Sequence, residues 1–540
     1  MVQVAEDRSN LRGAELAIVG FPHDTATWGV LTHVTLLIEE VIKKEGFGSQ
    51  RHREAMINLS KSATWLLDWL RSADLPIKEP WLRWTPALSQ ASMEAEQVAR
   101  NYQSFVMCFT MWHKNRMGVE VLSRRHLRFT PTEAEIGSMQ HRVRAYQQGV
   151  RRPNWPSTPD SPPATSFVED PEIKIRLQKL CQSALVTGAL SVEYPTDRVL
   201  LDRLNETYFA RLEFQFRHNS QFDLGGYTLE QYRRFFAALM AVSSVHEHFC
   251  FLWEQFGHRY PSQSAILVKT VSEWASLLSS ISNLPNKVIE IILSDMTFGT
   301  IRPLEIYIHP FFPSANGKSL YLAPQFIMNS RAEENILRTC SYLRPRLYSN
   351  IANAKEGEMR KMIASLAPSR FRVIGPVKLP SPYPDIDLLM SDRESSHVLI
   401  GELKWTRKTI RAIEHIDRDE ELHKGFKQLG RIQDFLNRTP DYLQHSHIPP
   451  NPILSYALIG RDHLVWIEPE DNIFLIEFDA LLWMFQNSDN LQNGINQLRK
   501  YDWLPIEGID FFVRHERATV TGITIETEVF HQQKISGHLQ

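Results

Sequence analysis

Asp385 and Asp387 open one short apolar run of this chain, and Glu402 and Lys404 close the next, which begins at Val398. Between the runs lies a turn-forming stretch, Ser391 to Ser396, so the two read as adjacent strands joined by a tight connection. Successive residues of a strand point to opposite faces, which puts Asp385 with Asp387 on one face and Glu402 with Lys404 on one face. An apolar strand normally excludes charge. Burying Glu402 and Lys404 at its end would cost several kcal/mol per unpaired ion, on the order of magnitude known for buried charges, unless a metal or mutual pairing compensates.

Flanking segments supply the elements that must position these groups. Asn353 to Leu366 predicts a helix carrying Glu356 and Glu358, with Met359 and Ile363 placing Glu356 beside the apolar stripe and Glu358 as the reserve. The alternative for both glutamates is an N-terminal charge favoured by the helix dipole. Phe371 to Val377 predicts a first strand. Glu420 to Leu436 predicts a second helix, with Leu422, Phe426, Leu429, Ile432 and Leu436 on one stripe and Lys424, Lys427, Gln428 and Arg431 along the opposite edge. Ile453 to Ile459 and Leu464 to Ile467 are expected to close the sheet, with Phe474 to Phe485 covering it.

With these residues in place, the stretch from about 345 to 485 resembles the PD-(D/E)xK nuclease superfamily. Pro384-Asp385 or Ile386-Asp387 resembles the first half of the motif and Glu402-Leu403-Lys404 the second. The resemblance implies an α/β restriction-endonuclease-like core, a central mixed sheet flanked by helices. It implies Mg²⁺, with Mn²⁺ as substitute, held by Asp387 and Glu402, with Asp385 as a second ligand and the backbone carbonyl of Leu403 added. Lys404 would position the attacking water, while Glu356 and Gln428 would complete the catalytic set. DNA would be the partner. A branch of the family places Tyr four residues after the Gln; this chain has Ile432 there. The competing expectation is a nuclease-fold protein without catalysis, acting as a DNA-binding or protein-interaction module.

The remainder of the chain bounds the reading without naming a function. Net charge is −2 over 540 residues, so DNA affinity must come from a local basic rim, for which Arg407, Lys408, Arg411, Lys424, Lys427 and Arg431 are the candidates. Four cysteines without C-x-x-C spacing disfavour a structural zinc site and a disulfide framework, and with no long apolar segment or secretory layout a cytoplasmic protein is expected. Residues 1–150 predict a mainly helical domain, with a short strand at Leu16 to Val19. Residues 151–171, with Pro153, Pro156, Pro159, Pro162, Pro163 and Pro171, predict a linker or loop. Residues 172–335 predict a second mainly helical domain ending in a hairpin of Leu304 to Ile308 with Leu320 to Ala323, and residues 336–540 the nuclease-like domain. The large mainly α-helical N-terminal region is the expected seat of a protein partner or homo-oligomer contact. By analogy of architecture it would be the sensor of a prokaryotic defence or restriction system.

Four motifs outside the site take ordinary readings. Trp65, Trp69, Trp81 and Trp84 are expected in the core rather than as a base-stacking set. Arg124, Arg125, His126 and Arg128 read as a solvated face. His246-Glu247-His248 lacks helical metal-ligand spacing, because residues two apart point to different faces. Asn316 to Ser319 resembles a phosphate loop, but Phe312 stands where that loop needs Gly, so no NTPase is inferred.

Overall fold

The computed structural model describes the chain apart from residues 1–14, 47–49, 74, 77–81, 114–116, 132–141, 144, 147–170, 187–191, 213–220, 256–264, 302–304, 329, 393–395, 407–411, 447, 449–450, 462–472, 521 and 533–540. The chain falls into two compact units, each discontinuous in sequence. One comprises Met1–Val106, Asp160–Tyr348 and Ala518–Ile523; the other comprises Met107–Pro159, Ser349–Arg517 and Thr524–Gln540. This division differs from the four consecutive segments expected from composition, and the expected linker at 151–171 lies almost wholly outside the described residues.

The first unit is dominated by helices, among them His23–Glu45, Gln50–Ser72, Arg198–Leu212 and Leu229–Gln255. Their apolar stripes meet in cores such as the one holding Trp28, Leu66 and Ala95. Trp65 and Trp69 stand edge-on against Tyr102, and Trp84 against Trp28, so these indoles are packing groups; Trp81 lies outside the described residues. A capping box at Thr270 and Glu273 starts the helix Val271–Ser282. The strand expected at Leu16 to Val19 is instead a tight 3₁₀ turn at Ala17–Gly20, where the Val19 N–H donates to the Leu16 carbonyl at 3.0 Å. The expected hairpin also shifts. Its first strand is Phe311–Pro313, paired with Ser319–Leu322, because residues around Glu305 close a turn in which the Ile308 and His309 N–H groups both donate to the Glu305 carbonyl. Asn316 and Gly317 make the turn between those strands, with Gly317 at φ +68°. His246 sits among Tyr194 and Cys250, its Nδ1 2.8 Å from the Tyr194 hydroxyl, as a buried packing group.

The second unit carries the chemistry. In chain order the elements lying in it for all or most of their length include β1 (Met117–Ser123), β2 (His126–Pro131), α1 (Pro345–Leu366), β3 (Phe371–Ile374), β4 (Leu388–Asp392), β5 (His397–Trp405), α2 (Ala412–Arg438), β6 (Ile453–Arg461), β7 (Ile473–Glu477), α3 (Phe478–Asn487), α4 (Leu491–Arg499), β8 (Phe511–Val520) and β9 (Ile523–Gln532). Five strands form a mixed sheet in the order β7-β6-β5-β4-β3. β3, β4 and β5 run antiparallel to their neighbours, while β5, β6 and β7 are parallel. A near-continuous apolar run in β5 therefore makes sense: it is the central strand, covered on both faces. The closing strand is Ile473–Glu477, where helical cover was expected. From Ile473 to Phe485 the sequence is almost unbroken apolar, and periodicity cannot separate a buried strand from the helix that follows it. The expected strand at Leu464 to Ile467 lies outside the described residues.

Candidate active site

Register decides which carboxylates meet. Gly401 of β5 lies across from Leu388 of β4 as the last pair of the antiparallel ladder, which makes Asp387 and Glu402 the facing residues just beyond it, close enough for the Asp387 charge to act on Glu402. Residues opposite one another in such a pair point to the same face. The ladder ends there, leaving the N–H groups of Leu403 and Trp405 without a strand partner on that edge. Carboxylates take both: the Leu403 N–H donates to Asp387 Oδ2 at 3.0 Å, and the Trp405 N–H donates to Glu356 Oε1 at 3.2 Å. The carbonyl of a strand residue points to the same side as its N–H, so the Leu403 carbonyl is on the edge that Asp387 caps.

Glu402 is 2 % exposed, and the Lys404 ammonium donates to its Oε1 at 2.6 Å. Three carboxylates thus surround one ammonium, and electrostatics follow. Burial, then repulsion by Asp387, pushes the Glu402 carboxyl up to about 8, against the pull of Lys404. Burial likewise raises Glu356. Burial lowers Lys404, but Glu402, Glu356 and Asp387 together raise it by more, so the ammonium keeps its proton. The two partners both rise because they face different neighbours: Lys404 is opposed by three anions, Glu402 by burial and two.

Helix α2 reaches this face through Gly425. A Cβ there would stand 2.6 Å from Leu458 Cδ1 and 3.5 Å from Lys404 Cε, so only Gly lets the helix lie this close over the Lys404 stem. Gln428, one turn on, is half-buried; Lys424, Lys427 and Arg431 are exposed, and the Arg431 guanidinium donates to the Pro382 carbonyl. Arg407, Lys408 and Arg411 lie outside the described residues.

The structure separates the two aspartates, which alternation alone could not. Asp387 stands opposite Glu402, whereas Asp385 is exposed and accepts the Leu379 N–H at 3.3 Å within its own loop. Of the two helical glutamates, Glu356 is the one bound at the Trp405 N–H. Sequence reading passed over Lys355. It is 2 % exposed, and its ammonium lies 4.7 Å from the centre of the Trp405 ring. The signal was present, since Ile351, Lys355, Met359 and Ile363 recur every four residues and a lysine in that apolar stripe demands a partner.

Among the described residues, no group of three or more His, Cys, Asp and Glu side chains is drawn together tightly enough to hold a metal ion. The donor chemistry nonetheless fits a hard divalent cation that keeps its own waters: two facing carboxylates, an adjoining backbone carbonyl and a local excess of negative charge. No helix among the described residues is long and apolar enough to cross a membrane. No family model, no curated protein and no solved structure matches the chain.

Proposed function

We propose that this protein is a metal-dependent nuclease that hydrolyses DNA phosphodiester bonds, its second unit being a restriction-endonuclease-like domain of the PD-(D/E)xK kind. What supports the reading is the register of β4 and β5, which sets Asp387 opposite Glu402 with Lys404 two residues on, on the same face. Asp387, Glu402 and the Leu403 carbonyl would hold Mg²⁺ or Mn²⁺. Bound there, the ion supplies Lewis-acid polarisation of a phosphoryl oxygen and a lowered pKa for a water. The chain's own residues do the rest. Lys404 keeps its proton among three carboxylates, so it presents a fixed cation where charge develops on the phosphate and a donor to orient the attacking water. Glu356 holds the end of β5 by its backbone, and half-buried Gln428 follows Gly425 by three residues on α2.

Purified protein incubated with plasmid and linear DNA should nick or degrade it in Mg²⁺ or Mn²⁺ and leave it intact in EDTA. The Glu402→Ala/Lys404→Ala double variant should be inactive; cleavage that survives both changes removes this site from the mechanism. One observation favours the non-catalytic module instead: Lys404 already closes on Glu402 at 2.6 Å, in a cluster not drawn tight enough for an ion. Calorimetric titration separates the two readings. Metal binding that Asp387→Asn abolishes supports the nuclease, and DNA affinity in chelator without any metal binding supports the module.

A further inference from the structure

The basic cluster at Arg124 to Arg128 divides in two: Arg124 and Arg125 are exposed at a hairpin tip, and His126 and Arg128 lie against acids of the same sheet. β1 and β2 form an antiparallel hairpin whose two turn residues are Arg124 and Arg125, and the Arg125 N–H donates to Ser123 Oγ at 3.3 Å. Both arginines are exposed, and among the described residues neither guanidinium makes an ion pair. Beside them Val121 is 46 % and Leu122 37 % exposed, a pair of aliphatic side chains left in water at the same tip.

Two acids of the same sheet are already engaged. β2 pairs with β9 so that Arg128 lies beside Glu526, and β1 pairs with β2 so that Glu120 lies beside Arg128. Arg128 Nε donates to Glu526 Oε1 at 2.8 Å and its Nη1 reaches Glu120 at 3.3 Å, while Arg517 of β8 donates from Nε to Glu526 Oε2 at 2.9 Å. His126 and His515 stand at 3.3 and 3.8 Å from the same carboxylate. Glu526 is thereby consumed as a buried anchor. It holds Arg517 by Nε, on a side chain that is 67 % exposed. Among the described residues, neither tip guanidinium pairs with a carboxylate.

We infer that this hairpin tip is a DNA-docking surface: Arg124 and Arg125 sit on backbone phosphates of a duplex, with Val121 and Leu122 against the sugars and Arg517 as a further phosphate contact. Charge complementarity selects the partner, since two exposed planar forks on adjacent turn residues suit paired phosphate oxygens. The choice of DNA as the polyanion rests on the nuclease reading; the docking surface itself is separate from the Asp387 site. Such contacts fix position on the duplex and read no bases.

Anisotropy of labelled duplexes in EDTA tests this on the full chain. Removing two phosphate-bound guanidiniums should make the slope of log affinity against log salt shallower by about 1.8. At about 0.15 M salt that amounts to roughly 30-fold weaker binding, the same for unrelated sequences. Arg124→Ala/Arg125→Ala should show both effects at an unchanged melting temperature, and Arg124→Lys/Arg125→Lys should keep most of the slope. An unchanged slope in the alanine variant, or no DNA binding by the wild type, overturns the inference. So does loss of binding to phosphatidylserine vesicles with DNA binding intact, which would make the tip a membrane contact. Wild-type protein that never cleaves in Mg²⁺ yet loses DNA affinity with the tip arginines would sink the nuclease reading alone; cleavage with an unaltered salt slope would sink only the docking surface.

Discussion

Asp385 and Asp387 differ by two residues and share a strand-like face, yet their surroundings assign them different work. Asp387 accepts a backbone N–H from the strand that carries Glu402 and Lys404, while Asp385 ties down Leu379 in the loop before β4. The proposed chemistry therefore predicts a split. Asp387→Asn should lower metal-dependent DNA cleavage by at least about 100-fold, the range typical of losing a group that acts on developing charge. Asp385→Asn, by contrast, should stay within about threefold, because its amide oxygen still accepts from Leu379. Rate measurements at saturating metal distinguish them, and equal losses would mean that both aspartates serve the ion. Lys355 belongs to the same scale. Its place over Trp405 was legible as a charge in an apolar stripe, but which ring would receive it was not, since the two are far apart in sequence.

Helix α2 and the sheet beneath it test the packing argument. Gly425→Ala gains about 1 kcal/mol of helix propensity. It also drives a Cβ into Leu458, a fully buried side chain with nowhere to go, at an overpacking cost of about 1–3 kcal/mol. Overpacking should win, so the variant is expected to melt lower, and a raised melting temperature would show that α2 can lift off the sheet freely. The four-stranded sheet β1-β2-β9-β8 offers a pH test. Hydrogen bonds from Arg517 and then Arg128 pull the Glu526 carboxyl down to about 2. Its folded value lies below the unfolded one, so the stabilisation is fully present above the ordinary carboxylate range and is lost as pH falls through about 2. Glu526→Gln should then flatten the acid limb of a stability profile below about pH 4.5 while leaving the shape above it unchanged. A wild-type acid limb retained in full by the variant would mean that other carboxylates carry it.

At the scale of the molecule, compactness cuts across the order of the chain. The unit that holds the candidate site draws on residues before 160 as well as after 348. Val143 and Tyr146 lie in its main core, where Tyr146 stands edge-on to Trp503 at 5.3 Å, and Arg142 donates to the carbonyls of Tyr501, Leu504 and Pro505. A fragment of residues 336–540 would lack all three, along with β1 and β2. Removing a fully buried aromatic alone costs about 3–5 kcal/mol. That is comparable to a domain's whole margin of stability, so the fragment should fail to unfold cooperatively in urea, and supplying residues 107–159 as a separate chain should restore a transition. A cooperative transition in the fragment by itself would show that the first-half residues are accessory.

What the sequence determined by itself is local. Alternation along a strand fixed that Glu402 and Lys404 share a face, four-residue periodicity placed α1 and α2 with their stripes, and turn residues marked the connection between β4 and β5; each depends on neighbours a few positions away. Tertiary structure decided what depends on distant partners. The register that opposes Asp387 to Glu402, the choice of Glu356 at the Trp405 N–H, the identity of β7 as closing strand and the entry of residues 142–146 into the core are all pairings across long sequence separations. Such contacts are selected by the fit of whole surfaces and the satisfaction of edge N–H groups. A one-residue slip would exchange the faces of an entire strand without changing any local propensity.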